Sequence, residues 1–170
     1  MQTYSHIILA TVMEHFAQNH SAIPIHSKAF LMGSFAPDVA LGLLTTGFLV
    51  DRRLKKEEAV WCGDEFNTIY FNDPLWIVTH NLLHAPFIVV LMIIVGYYMG
   101  TRYNKNWGWS LFWFSIGCGI HSMIDIGTHH NDGPLLLFPF NWQKRFSSPI
   151  SYWDRKHGAA LFSPLEHLFD

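Results

Sequence analysis

Two long stretches without a charged side chain lie in the second half of the chain and are separated by only a few residues. No Asp, Glu, Lys or Arg occurs from residue 74 to residue 101, or from residue 106 to residue 124. Each stretch approaches the length of about 20 apolar residues that a membrane-spanning helix needs. Because the connection is so short, we expect an antiparallel helical hairpin, with arms at about 74–100 and 106–130.

The composition favours a membrane location for this hairpin. Half of the 170 residues are hydrophobic and only 14% are charged, against about 25% in a typical soluble domain. Tyr97, Tyr98, Trp107 and Trp109 flank the loop, as an interfacial aromatic belt would. We therefore predict a membrane-embedded hairpin. The alternatives are a buried hairpin in a soluble helical domain and a soluble, lipid-associated helical protein.

The remaining segments also favour helices. No segment alternates polar and apolar residues as a half-buried strand does, so we expect an all-α helical bundle that forms one domain over residues 1–170. Pro37 is expected to end one helix, so that Asp38 opens the next. Ser163 to Glu166 has the pattern of a capping box that starts a last helix. The formal charge of −2 gives no reason to expect a nucleic-acid partner.

The 11 histidines are a high number for this length. His121 and Asp125 are four residues apart and therefore share one face of a helix, and His129 extends that face by one turn. Imidazole and carboxylate groups on one stripe are ligands for a divalent metal, most of all zinc. The alternative is that these polar residues only cap one another, but an Asp beside an apolar run is costly unless it is paired or metal-bound.

His80 and His84 form a second pair with the same spacing. They begin the first arm of the hairpin, whereas His121 and Asp125 end the second arm. An antiparallel hairpin brings both pairs to the same end, and this convergence predicts a metal site there. Asp38 is a third candidate, although an acid directly after a proline also fits a helix cap.

Hydrolysis by metal-activated water is the chemistry that this residue set allows. The sequence contains neither a nucleophile elbow nor a phosphate-binding glycine loop. Asp38 and Asp132 are the expected bases for the water. A site beside apolar helices predicts membrane lipid as a partner and a phosphoester or lipid-like ester as substrate. The alternative is a non-catalytic metal-binding or structural membrane protein.

Several motifs occur in an order that is typical of a known family. They are His6, Pro37-Asp38, Thr79-His80-Asn81-Leu82-Leu83, His121-x3-Asp125-x2-Thr128 and Gly133-Pro134-Leu135-Leu136-Leu137-Phe138-Pro139. Over about residues 5–140 the chain resembles the membrane-bound, metal-dependent hydrolases, long described as a domain of unknown function and regulated by the SOS repressor in some bacteria. That family is distantly similar to zinc-dependent phospholipase C.

The resemblance implies a hydrolase in the bacterial inner membrane with one or two zinc-like ions. The metal ligands that it implies are His6, Asp38, His80, His121 and Asp125. Two family features are missing, since Ala40 stands where a second acid is common and no His-Arg-Gly precedes Thr79. His84, His129 and His130 are additional histidines that are available to supply missing ligands.

Overall fold

The computed structural model describes residues 2–58, 63–103 and 105–169, and every regular element within them is helical. The α-helices are α1 (Thr3–His20), α2 (Ser27–Leu54), α3 (Asp64–Asn72), α4 (Pro74–Asn81), α5 (Pro86–Tyr103), α6 (Asn106–Thr128) and α7 (Ala159–Phe169). A short 3-10 helix, Arg155–His157, precedes α7. The all-α prediction is confirmed.

Helix α6 lies between α5 and α2. Gly100 of α5 packs against Trp109 near the connecting loop, and Val89 lies beside Gly119 towards the other end. This order of contacts shows that α5 and α6 run antiparallel, as the hairpin prediction requires. The ends of the two helices that lie away from the loop therefore meet.

The first arm of the hairpin is not one helix. Helix α4 ends at Asn81, a turn follows, and α5 begins at Pro86. Pro86 has no N–H to donate, and its ring disfavours a helical conformation at Ala85. The prediction of an unbroken arm over 74–100 is therefore wrong at this point, and the break places His84 in the turn between two helices.

Helix α2 continues through Pro37, so the prediction of a new helix at Asp38 is also wrong. An interior proline removes one hydrogen bond and costs a helix about 3 kcal/mol. Here the Pro37 side chain is fully buried. The helix packs against α6 before Pro37, and after it Leu41 and Leu44 pack against the aromatic cluster of α3 and α4. Tertiary packing outweighs the local preference, and Asp38 lies in mid-helix.

Helix α2 approaches α6 closely because both helices carry glycine at the contact. A Cβ atom at Gly117 would overlap the carbonyl oxygen of Phe30 and lie 3.0 Å from the backbone of Gly33 and Ser34. These are backbone atoms, which cannot rotate away as a side chain can. Small residues of this kind allow two helices to pack backbone to backbone.

Gly117→Ala is expected to destabilise the bundle by about 3 kcal/mol, because the methyl group would force α2 and α6 apart. For a chain of this size, that corresponds to a fall of about 6–12 °C in the unfolding midpoint. Gly42→Ala is the matched control, since Gly42 is also helical but nothing lies within 4 Å of its Cβ position. Thermal unfolding in detergent measures both variants, and equal midpoints would contradict the close contact.

Helix α7 begins at Ala159, and Pro164 lies inside it. The predicted helix start at Ser163 is therefore wrong. Glu166 has no capping role, because its Oε1 accepts a hydrogen bond from the backbone N–H of Gln2 at 2.7 Å. The last helix is tied in this way to the start of the first.

Helices α2 and α5 are long and apolar enough to cross a membrane, judged by length and composition. In each, only 17% of the most apolar 18-residue window is buried within the protein. On α5 the exposed apolar side chains include Phe87, Val90, Leu91, Ile94, Val95 and Tyr98. Among the described residues, α6 does not meet the same criterion.

Candidate metal centre

Four histidines surround the carboxylate of Asp125. Its Oδ2 lies 3.2 Å from Nε2 of His84 and 3.1 Å from Nε2 of His121. Its Oδ1 lies 3.0 Å from Nε2 of His6 and 3.5 Å from Nε2 of His129. The two carboxylate oxygens of one buried Asp thus face two different pairs of imidazoles.

Asp38 adds a second carboxylate to this cluster. Its Oδ1 lies 3.4 Å from Nε2 of His121, and its Oδ2 accepts a hydrogen bond from Oγ1 of Thr3 at 2.6 Å. One ligand atom from each of four residues lies within 4.8 Å of the others, in the set Asp38, His84, His121 and Asp125. The position of Asp38 in mid-helix excludes the helix-cap alternative.

Backbone carbonyl groups fix the orientation of two of the rings. The Nδ1–H of His121 donates to the carbonyl of Ser34 at 2.6 Å, and that of His84 donates to the carbonyl of His80 at 3.2 Å. In a neutral imidazole the other nitrogen then carries a lone pair. When the two rings are neutral, both Nε2 lone pairs are directed at Asp125, which is the arrangement that metal-binding histidines adopt.

The donor set fits a divalent cation. Imidazole lone pairs and a carboxylate oxygen repel one another at contact distance unless a proton or a metal ion lies between them. In a tetrahedral zinc site, bonds of 2.0–2.1 Å place neighbouring ligand atoms about 3.3 Å apart. The separations around Asp125 are 3.0–3.5 Å. The cluster therefore has the ligand types of a zinc site, and its contacts to Asp125 have the ligand spacing of one.

Asp132 orients His129. Its Oδ2 lies 3.0 Å from Nδ1 of His129 and accepts a hydrogen bond from Nε1 of Trp153 at 3.0 Å. Burial alone lowers the pKa of His129, but the carboxylates of Asp125 and Asp132 outweigh it and raise the pKa to about 8. Burial raises the pKa of Asp132, and the contact with His129 outweighs it, so this pKa lies below its usual value.

His80 lies behind the cluster, beside His84. The hydroxyl of Tyr70 donates to the carbonyl of Asp132 at 2.6 Å, so the Tyr70 oxygen accepts from Nε2 of His80 at 3.1 Å. Burial holds the pKa of His80 well below its ordinary value, which keeps the ring neutral. The resemblance implied a ligand at His80, whereas the group that meets at Asp125 contains His84.

His84→Ala is expected to lower metal affinity by more than about 100-fold, because it removes a ligand. His80→Ala is expected to lower it by about 10-fold, because His80 supports the site without binding the metal. The two residues are matched in type and burial. Zinc titration of the purified variants measures both constants. A larger loss of zinc affinity in His80→Ala than in His84→Ala would show that His80 is the ligand.

The comparison with known families agrees with this geometry. A family model described as zinc dependent phospholipase C matches residues 3–159. The chain belongs to this family. The curated proteins and the solved structures give no significant match. The resemblance to zinc-dependent phospholipase C is thus confirmed, and family membership together with the His/Asp cluster supports a divalent metal, zinc above all.

Sequence reasoning missed the residues that support the cluster from a distance. Thr3 holds Asp38, Ser34 holds His121, and Trp153 holds Asp132. None of these pairs has a helical or strand spacing, so no periodic signal exists in the sequence. His84 was signalled by its spacing of four residues from His80.

Proposed function

We propose that this member of the zinc-dependent phospholipase C family is a membrane-associated, metal-dependent hydrolase that acts on a phosphoester or lipid-like ester. The observation that carries the proposal is the set of Nε2 atoms around the Asp125 carboxylate. In this proposal Asp38, His84, His121 and Asp125 hold one ion. His6 and His129 face the other oxygen of Asp125 and offer a second position.

A divalent metal bound there supplies activation of water and polarisation of the substrate oxygen. Asp38 is the best placed base, because 22% of its side chain is exposed while that of His121 is fully buried. Thr3 holds Oδ2 of Asp38, and Oδ1 lies 3.4 Å from Nε2 of His121, so in this proposal the same carboxylate would either hold the ion or take a proton from water. Asp132 is better described as a positioning residue, since its carboxylate holds His129.

Membrane association is supported by the exposed apolar surfaces of α2 and α5, which a single soluble chain would expose to water at a high cost. In a bilayer these surfaces would face lipid tails. If α5 spans the bilayer, the cluster would lie near the level of the headgroups, because it is at the end of the α5–α6 hairpin away from its loop. This location is the reason for proposing a lipid-like substrate.

The proposal is tested with detergent-purified protein and with the double variant His121→Ala, Asp125→Asn. Elemental analysis measures bound zinc, and hydrolysis is followed on phospholipid in mixed micelles and on a water-soluble phosphodiester. We expect near-stoichiometric metal and ester hydrolysis, both lost in the double variant. Wild-type protein that holds zinc but cleaves neither substrate would overturn the hydrolase assignment and leave a metal-binding protein.

The burial of the cluster favours one second candidate, a non-catalytic metal-binding or structural membrane protein. His6, His84, His121 and Asp125 are almost fully buried, and structural zinc sites are closed whereas catalytic sites keep one open position. Cobalt substitution separates the two functions. Inorganic phosphate would change the visible spectrum of cobalt at an open site and would leave that of a closed site unchanged.

A further inference from the structure

Residues 139–158, here called the strap, wrap around the carboxyl end of α6. Oγ of Ser148 donates to the carbonyl of Gly127 at 2.6 Å. The backbone N–H of Tyr152 donates to the carbonyl of Thr128 at 3.1 Å. These bonds hold the strap against the segment that carries the metal cluster.

The strap exposes both aromatic and basic side chains. The large apolar side chains exposed there are Phe140, Trp142, Phe146, Ile150 and Trp153. The strap also contains four bases, of which Lys144, Arg155 and Lys156 are exposed. Its one acid, Asp154, is held by Nδ1 of His157 at 2.7 Å. The surface is therefore apolar and positively charged.

The strap begins where the apolar surface of α5 ends. The ring of Phe140 packs edge-on against Phe87, in the first turn of α5, with 5.0 Å between the ring centres. Aromatic side chains at the end of an apolar helix are typical of the membrane–water interface. Lysine and arginine at the same level attract anionic lipid headgroups.

We infer that the strap binds the anionic phospholipid headgroups of the leaflet beside the metal centre. This inference rests on the proposed membrane association and adds a preference for lipid charge. The exposed aromatic side chains lie among the headgroups, and Lys144, Arg155 and Lys156 contact their phosphates. Lipid with negative charge is thereby concentrated next to Asp132 and His129, to which the strap is bonded through Trp153.

Quenching by brominated lipids tests the inference in nanodiscs of phosphatidylcholine. A minor fraction of brominated phosphatidylglycerol is compared with the same fraction of brominated phosphatidylcholine. Trp142 is the reporter. Its fluorescence is obtained as the difference between the fluorescence of the wild type and that of Trp142→Phe. The test variant is Lys144→Gln, Arg155→Gln, Lys156→Gln. The matched control removes three exposed bases from the opposite end of the bundle, Lys28→Gln, Arg102→Gln, Lys105→Gln.

We expect brominated phosphatidylglycerol to quench Trp142 more strongly, with a local enrichment of up to about five-fold for each base. The strap variant is expected to lose this preference, and the opposite-end control to keep it. Equal quenching by the two lipids, or no quenching by either, would overturn the inference. Zinc content measured on the same samples keeps this result separate from the proposed function, because the three strap bases contact no residue of the cluster.

Discussion

Asp125→Asn is expected to lower metal affinity by more than about 100-fold and to abolish ester hydrolysis. The substitution keeps the shape of the side chain but removes its charge and replaces one oxygen with an NH2 donor. The oxygens of Asp125 face four imidazole nitrogens at 3.0–3.5 Å. In either orientation of the amide, the NH2 group replaces an oxygen that faces two of these imidazoles, and it cannot bind a metal ion with them. Removal of a supporting contact alone costs up to about 100-fold, and loss of the central ligand costs more.

Asp51→Asn is the matched control for this prediction. Asp51 is also a helical Asp, but it is exposed and pairs with Lys55 at the surface. Such a pair contributes little to stability, so zinc content and hydrolysis should equal those of the wild type. Zinc titration and phosphodiester turnover measure the two variants side by side. An Asp125→Asn protein that holds metal and is active would show that Asp125 is not the central ligand.

Removal of the metal is expected to lower the unfolding midpoint by about 8–16 °C at pH 8. A ligand present at a thousand times its dissociation constant stabilises the folded state by about 4 kcal/mol. For a chain of this size, each kcal/mol shifts the midpoint by about 2–4 °C. Thermal unfolding with excess zinc and with a chelator measures the difference. Asp125→Asn should show almost none of it.

This difference is expected to grow as the pH rises from 6 to 8. In the metal-free protein the pKa of His129 is raised to about 8 from its model-compound value of 6.5. Protonated His129 therefore stabilises the metal-free protein fully below pH 6.5, and this contribution is lost as the pH rises through 8. Zinc in the second position, which His129 faces across Oδ1 of Asp125, must displace the same proton, so its binding there strengthens over the same range. A difference that stayed constant or shrank with pH would contradict the assignment of His129 to the site.

Local spacing in the sequence predicted the helical stripe of His121, Asp125 and His129, because a four-residue interval returns to the same helix face whatever surrounds it. The absence of charge around α5 and α6 predicted the hairpin, because apolar helices joined by a short loop must pack antiparallel. From these two facts alone, the meeting of His84 with Asp125 at one end of the hairpin could be expected, and the structure has it.

The sequence was a poor guide where tertiary packing overrode local preference. Pro37 indicated a helix break, but Pro37 is buried and α2 continues through it. Pro86, in contrast, caused a break that the apolar pattern concealed. The second break gives His80 and His84 different contacts. In the turn that it creates, His84 is directed at Asp125, while His80 remains bound to Tyr70.

What the sequence determined by itself is the helical class, the apolar hairpin and the residue types of a metal site, since all three follow from periodicity and composition. Only the tertiary structure decided that Thr3 holds Asp38 and that His6 faces Oδ1 of Asp125. It also decided that Asp132 holds His129 and is itself held by Trp153. The physical reason is that such contacts depend on how whole helices and the strap pack, and no local spacing along the chain encodes them.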